Sequence, residues 1–336
     1  DNESAGISGD RVSLWTTAIN MDSGRVAEAL LILANRFAEL GEPLPNLLAP
    51  SLRRYSYHPH PAVRSILMRR LPQLIHHLPT LGWEIFDRAM TDAKGLWNST
   101  EKCLYYNYRN DFARIKGYLD RIAKEGKNED LETWGRISAL ATLSGKLEID
   151  LFLTELDTMQ SLEAWKGAAT VWAHSNNFRH NAEICIQGVT AGLETPTPNA
   201  LAVAQEVTNI FRENSPPAPI PLGLLRKYLC VLQNKDNKQN SIYGLGEWLN
   251  QTSQYDPHTA MDAFEDYLQY IEKAGAYFYD HDDQLTQLVT RLFAEAEERE
   301  EIDDGEMLTR VIILQDQLLK FPDSRIQKWL EAAERP

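Results

Sequence analysis

The sequence predicts an all-α protein, an irregular solenoid of stacked helical hairpins. Three observations predict it. Apolar residues recur at intervals of three and four along almost the whole 336-residue chain, the period of a helix that buries one stripe. No segment alternates with a period of two for long enough to form a strand. The apolar fraction of 43% is ample for a core, and the length exceeds the ~100–200 residues of one compact domain, so two packed units or one elongated array are expected.

Taken in order, helices are predicted over 12–20, 24–40, 45–56, 60–78, 80–93, 99–125 (as two), 130–143, 146–157, 160–175, 178–193, 198–213, 220–233, 239–252, 257–273, 282–300, 304–320 and 323–334. Val26, Leu30, Leu33, Phe37 and Leu40 form the first clear stripe. Leu162, Trp165, Ala169, Trp172 and Ala173 form another. The strongest is Leu285, Leu288, Val289, Leu292, Phe293 and Ala296, with charges on its other face, and Leu308, Val311, Ile312, Gln315, Leu318 and Leu319 follow it. Boundaries agree with the stripes. Gly41 to Pro45 closes an early helix, and Asp256-Pro257 supplies an N-cap acceptor followed by a proline that fits the first helical position. Asp282 and Asp283 stand where a helix start favours negative charge, and Phe321-Pro322-Asp323 separates the last two helices.

One segment has the character of a known repeat. Tyr57-His58-Pro59-His60-Pro61-Ala62-Val63-Arg64 precedes Ile66, Leu67, Leu71, Leu74 and Ile75. It resembles the second helix of a HEAT repeat, in which proline opens the turn and Val-Arg begins a buried helix. Pro72 is expected to kink that helix. Phe178 to Ile186 and Tyr255 to Ala260 are weaker echoes, so the array is HEAT-like and irregular.

Asn214 to Pro221 holds four prolines in six residues, an extended and stiff path that no helix crosses. It predicts two helical segments, 1–214 and 222–336, with residues 215–221 as connector. Thr195-Pro196-Thr197-Pro198 is a shorter break. The opening Asp1-Asn2-Glu3-Ser4 is polar and lacks methionine, which predicts a piece of a longer polypeptide.

The net charge of −14 is unevenly placed. Residues 256–306 hold sixteen acidic side chains against three basic ones, whereas residues 53–124 hold thirteen basic against six acidic. An acidic total disfavours nonspecific nucleic-acid binding, leaving the basic region 53–124 as the one place where phosphate could be touched. No run of eighteen apolar residues, cleavable leader or lipidation motif occurs, so no membrane association is expected. Cys103, Cys185 and Cys230 are isolated, which predicts reduced thiols in a cytoplasmic protein without zinc knuckles.

Chemistry-bearing clusters are few. No P-loop, nucleophile elbow or dinucleotide fingerprint is present. His58, His60, His76 and His77 fall in one hairpin, but adjacent helical histidines point about 100° apart and do not converge on an ion. His281, Asp282 and Asp283 have the order of a hydrolase metal cluster, but Asp282 and Asp283 are more simply read as helix-start charges. The expectation is no enzyme activity, no cofactor and no resident metal, with His281, Asp282 and Asp283 as the minor metal alternative.

Aromatic patches are the better candidates for partner binding. Trp97, Tyr105, Tyr106, Tyr108 and Phe112 lie near Lys102, Arg109, Arg114 and Lys116, and Tyr277, Phe278 and Tyr279 precede the acidic turn. Tyrosine, tryptophan and arginine supply most binding hot spots, having large area and few rotors. Trp329 to Pro336 and the segment Tyr255 to Leu268 further resemble the C-terminal sensor region of bacterial anti-phage defence NTPases of the STAND class. That resemblance implies a cytoplasmic protein-recognition module that detects a phage structural or packaging protein, with any NTPase elsewhere in the polypeptide. The alternatives are a scaffold or oligomerisation segment, a nucleic-acid-binding HEAT-like protein, and a metal-dependent hydrolase.

Overall fold

The computed structural model describes residues 14–92, 95–212, 216–233, 242–275 and 283–321. Among the described residues there are eighteen α-helices and no strand, so the protein is all-α. The chain divides into two compact units, Asp1–Ile137 and Ser138–Pro336.

The first unit contains α1 (Leu14–Ile19), α2 (Asp22–Glu39), α3 (Leu48–Ser56), α4 (Pro61–His77), α5 (Pro79–Ala89), α6 (Glu101–Asn107), α7 (Phe112–Glu125) and the start of α8 (Asn128–Leu143). Its axis is α4, the HEAT-like helix, against which α1, α2, α5 and α6 pack. The reason lies in its sequence. Val63, Ile66, Leu67, Met68, Leu71, Leu74 and Ile75 are all buried, more than one face of a helix. Each such side chain contributes about 1.5–3 kcal/mol on burial, so α4 needs helices around it. His60 starts α4 with Nδ1 accepting from the Ala62 amide at 3.2 Å, and Pro61 follows at the first helical position. Arg64, beside Val63, is 6% exposed, and its guanidinium donates to the Ala89 carbonyl at 2.9 Å at the end of α5.

The second unit contains α9 (Ile149–Met159), α10 (Leu162–Trp172), α11 (Ser175–His180), α12 (Ala182–Leu193), α13 (Asn199–Val207), α14 (Leu222–Gln233), α15 (Leu245–Thr252), α16 (Pro257–Ala274), α17 (Gln284–Arg299) and α18 (Glu306–Leu318). Each packs on helices one to three places away in the chain: α10 on α12 and α13, α14 on α16, α15 on α17, α17 on α18. This is the hairpin stacking of a helical-repeat solenoid. Close approach is built in at Gly188, where an added Cβ would lie 2.4 Å from the Trp172 ring.

Three differences from the sequence reading have physical causes. The division between units falls within α8 and not at the proline run. Residues 216–221 belong to the second unit, where Ala218 is buried and its carbonyl accepts from Trp248 Nε1 at 2.9 Å. The predicted helix 178–193 breaks at Asn181, whose φ of −136° and ψ of 44° leave the helical region. Third, the stripe Val26, Leu30, Leu33, Phe37 and Leu40 faces outward. α2 instead buries its small side, Gly24, Ala27, Ala34 and Ala38, together with Leu31 and Asn35. The predicted helix 323–334 lies outside the described residues.

Candidate interaction surface

The first unit carries a groove of about 730 Å³ formed by α4, α5, α6 and the turn into α7. That volume is within the 300–1,000 Å³ typical of ligand sites. Ile75, Pro72, Pro79 and Trp83 supply apolar lining, Tyr106 and Asn110 contribute from the α6 side, and Arg69, Arg70 and Lys102 bring positive charge. Asp111 is the acidic residue of the lining.

Local sequence dictates this arrangement. Pro79 begins α5 immediately after α4 ends, so Trp83 comes back beside Ile75. Trp83 meets Phe86 edge to face at 5.4 Å, and Phe86 meets Tyr118 of α7 at 4.8 Å. The Tyr118 hydroxyl donates to Asp87, and burial together with that bond raises the phenol well above its ordinary value. Asp111 caps α7 by accepting from the Arg114 amide at 3.3 Å. The Arg114 guanidinium then sits over the Trp83 ring, 4.8 Å from its centroid.

The cations differ in how far they are engaged. Arg70 Nε lies 3.3 Å from Glu28. Arg69 lies over the Trp15 ring at 4.6 Å. Lys102 is exposed and makes no ion pair among the described residues. A solvated ammonium beside an exposed tyrosine and an apolar lining suits a ligand that presents a carboxylate near an apolar group.

The aromatic candidates separate on this geometry. Tyr105 and Tyr106 are exposed on α6, packed edge to face at 5.2 Å. Arg109 is exposed and donates through Nε to the Tyr108 hydroxyl at 2.9 Å. Arg114 is exposed, and Lys116 is half-buried and ion-paired with Asp120 at 2.6 Å. Trp97 and Tyr108 are corrected from surface to core, at 2% and 4% exposure. The helical period explains the split: Cys103, Leu104, Asn107 and Tyr108 share the buried face of α6, and Tyr105 and Tyr106 point away from it. The sequence reading missed Arg69 and Trp83, whereas Lys102 already stood among its basic neighbours of the aromatic patch. The signal for Trp83 was available, because Pro79 fixes the start of α5 and hence its facing residues.

Tyr277, Phe278, Tyr279, His281 and Asp282 lie outside the described residues. Asp283 immediately precedes α17 at a φ of 58°. Among the described residues no group of three or more His, Cys, Asp or Glu side chains is placed to hold a metal ion. No described helix is long and apolar enough to cross a membrane. The chain matches no protein-family model, no curated protein and no solved structure.

Proposed function

We propose that this chain is a protein-recognition module whose working surface is the groove between α4, α5 and α6. The observation that carries the reading is the meeting of Lys102, Arg69 and exposed Tyr106 with the apolar lining around Trp83. Tyrosine and tryptophan next to basic side chains are the composition of binding hot spots. The occupant is an acidic protein segment with an apolar anchor. In the setting that the STAND-like resemblance implies, the module is the sensor of a larger cytoplasmic protein and the segment belongs to a phage structural or packaging protein.

The test is direct. Purified phage structural and packaging proteins are titrated against the intact chain and against Lys102→Glu and Tyr106→Ala. One of them binds the intact chain and binds each variant at least tenfold more weakly, a loss of about 1.4 kcal/mol, while melting temperatures stay unchanged. Equal binding by intact chain and variants removes the groove from consideration. Binding of a single-stranded oligonucleotide that falls steeply with salt would favour the nucleic-acid reading instead.

A further inference from the structure

The chain carries a segment of its own with the chemistry that the groove calls for. Ile302, in the turn between α17 and α18, is 83% exposed, more than any other large apolar side chain among the described residues. Beside it stand exposed Glu300, Glu301 and Asp304, none of which makes an ion pair among the described residues. Arg299, the nearest cation in sequence, is paired with Glu295. Hydrogen bonds hold the turn in one shape. The Ile302 amide donates to the Arg299 carbonyl at 2.8 Å, and the Gly305 amide donates to the Glu300 carbonyl at 3.0 Å. The Asp303 carboxylate accepts from the Gly305 and Met307 amides at 3.1 and 3.4 Å. A lone exposed isoleucine needs no partner. An isoleucine set among free carboxylates on a braced turn is a knob that binds with little further ordering.

We propose that the α17–α18 turn of one copy docks into the groove between α4, α5 and α6 of a second copy. The proposal rests on that groove being a recognition surface. Knob and groove match part for part. Ile302 meets the apolar lining of Pro72, Ile75, Pro79 and Trp83, and the carboxylates of Glu300, Glu301 and Asp304 face Arg69, Arg70 and Lys102. Arg70 is shared with Glu28, so Arg69 and Lys102 carry the larger part of the attraction. Asp111, the acid of the lining, is engaged with the Arg114 amide at the start of α7.

Charge along the chain selects a second copy in this orientation. Residues 53–124 hold thirteen basic side chains against six acidic, and residues 256–306 hold sixteen acidic against three basic. Copies placed like against like repel in either region, whereas unlike regions attract. The contact is therefore heterologous, head to tail. A bound pair keeps one free groove and one free turn, so it can add further copies. A single turn is small beside the roughly 20–30 residues a side of a standard interface. The association is accordingly weak, and strongest at low salt.

Sedimentation velocity of the intact chain, from micromolar to millimolar concentration at low salt, tests this. The chain is expected to self-associate, and about tenfold more weakly or less as Ile302→Lys or as Lys102→Glu. Both substitutions fall on exposed side chains and leave the melting temperature unchanged. Mixing is the sharper experiment. Ile302→Lys keeps an intact groove and Lys102→Glu keeps an intact turn, so an equimolar mixture forms dimers that grow no further. Leu151→Lys, at an exposed apolar residue of α9, associates as the intact chain does. A strict monomer overturns the self-docking, while Lys102-dependent binding of a phage protein by that monomer would leave the groove standing as a partner site. Association lost on Ile302→Lys but kept on Lys102→Glu overturns it too, because the turn then docks elsewhere. So does a mixture that stays monomeric, and so does equal weakening by Leu151→Lys. A monomer that loses thermal stability on Ile302→Lys also overturns it, because the turn is then held within its own chain.

Discussion

The Arg64 guanidinium donates to the Ala89 carbonyl at 2.9 Å, joining the buried start of α4 to the end of α5. The same Nη1 donates to the Asp92 carbonyl at 2.5 Å. A cation at a helix C-terminus meets unpaired carbonyls and the negative end of the helix dipole. Arg64 Nε has no partner, so the arginine is only partly satisfied. Arg64→Ala is expected to destabilise the first unit by about 2–4 kcal/mol, read from the urea midpoint. Arg64→Met keeps part of the packing and is expected to lose less. Equal stability of Arg64→Ala and the intact chain would show that the carbonyls find water instead.

A polar network holds α15 to α17. Arg291 donates to the Asn250 carbonyl at 2.6 Å and to its side-chain oxygen at 3.0 Å, and Asn250 Nδ2 donates to Gln284 at 2.8 Å. Asn250 is 6% exposed. Because removing one member strands the others, Asn250→Ala is expected to cost about 2–3 kcal/mol. A double-mutant cycle with Arg291→Met should give coupling of roughly 0.5–3 kcal/mol. Strict additivity would count against the network.

Gly188 faces the Trp172 ring so closely that a Cβ would approach within 2.4 Å. Trp172 is fully buried and packs at 5.7 Å from Phe152, which leaves it little room to retreat. Gly188→Ala is expected to destabilise by about 1–3 kcal/mol through overpacking, despite the better helix propensity of alanine. A rise in melting temperature would show that the ring moves freely.

Asp256 caps α16, accepting from the Thr259 amide at 3.0 Å and its hydroxyl at 2.7 Å. These bonds hold its carboxyl below the usual range. A depressed folded pKa contributes stability at pH values above the unfolded one, near 4, and that contribution is lost as pH falls through the folded value. Asp256→Ala is expected to cost about 1 kcal/mol at neutral pH. Asp256→Asn keeps the cap and flattens the acid limb of the stability profile. An unchanged acid limb in Asp256→Asn would assign that limb to other carboxylates, Glu84 among them, which Arg53 and Arg88 hold down in the same direction.

Thiol chemistry separates the three cysteines. Burial pushes the Cys185 thiol up to about 12 and raises Cys103 further, whereas Cys230 is exposed. Since the thiolate is the reacting form, a thiol reagent at neutral pH is expected to label Cys230 in the native chain, and all three after denaturation. Fast native labelling of Cys103 would show that α6 opens locally.

The positions of most helices were legible because stripes, caps and prolines act locally. Asp256 and Pro257 start α16, and Leu285, Leu288, Val289, Leu292 and Ala296 are its successor's buried face in α17. What a stripe faces was not legible. Val26 to Leu40 repeats as well as any core stripe, and its outward placement depends on how closely the alanines of α2 approach α1 and α4. The groove was half legible. Tyr106 was visible as an aromatic among basic residues, but Arg69 and Trp83 join it only through the packing of α4, α5 and α6. Tyr108 was misplaced because no faces were assigned to the two helices read over 99–125, and Trp97 because it stands just ahead of them, in a short turn that no stripe marks.

The bond from Trp248 to Ala218 gives the proline run a role opposite to its appearance in the sequence. Four prolines look like a place to cut. Yet Ala218 and Ile220 are buried, and the indole N–H of a core tryptophan has its acceptor there. A truncation starting at residue 222 would open the wall beside Trp248 and leave that N–H to water. Proline serves here as a brace: the stiffness of the run, with the Ile220 amide donating to the Ala218 carbonyl at 2.9 Å, keeps that carbonyl aimed at the indole without a helix to hold it.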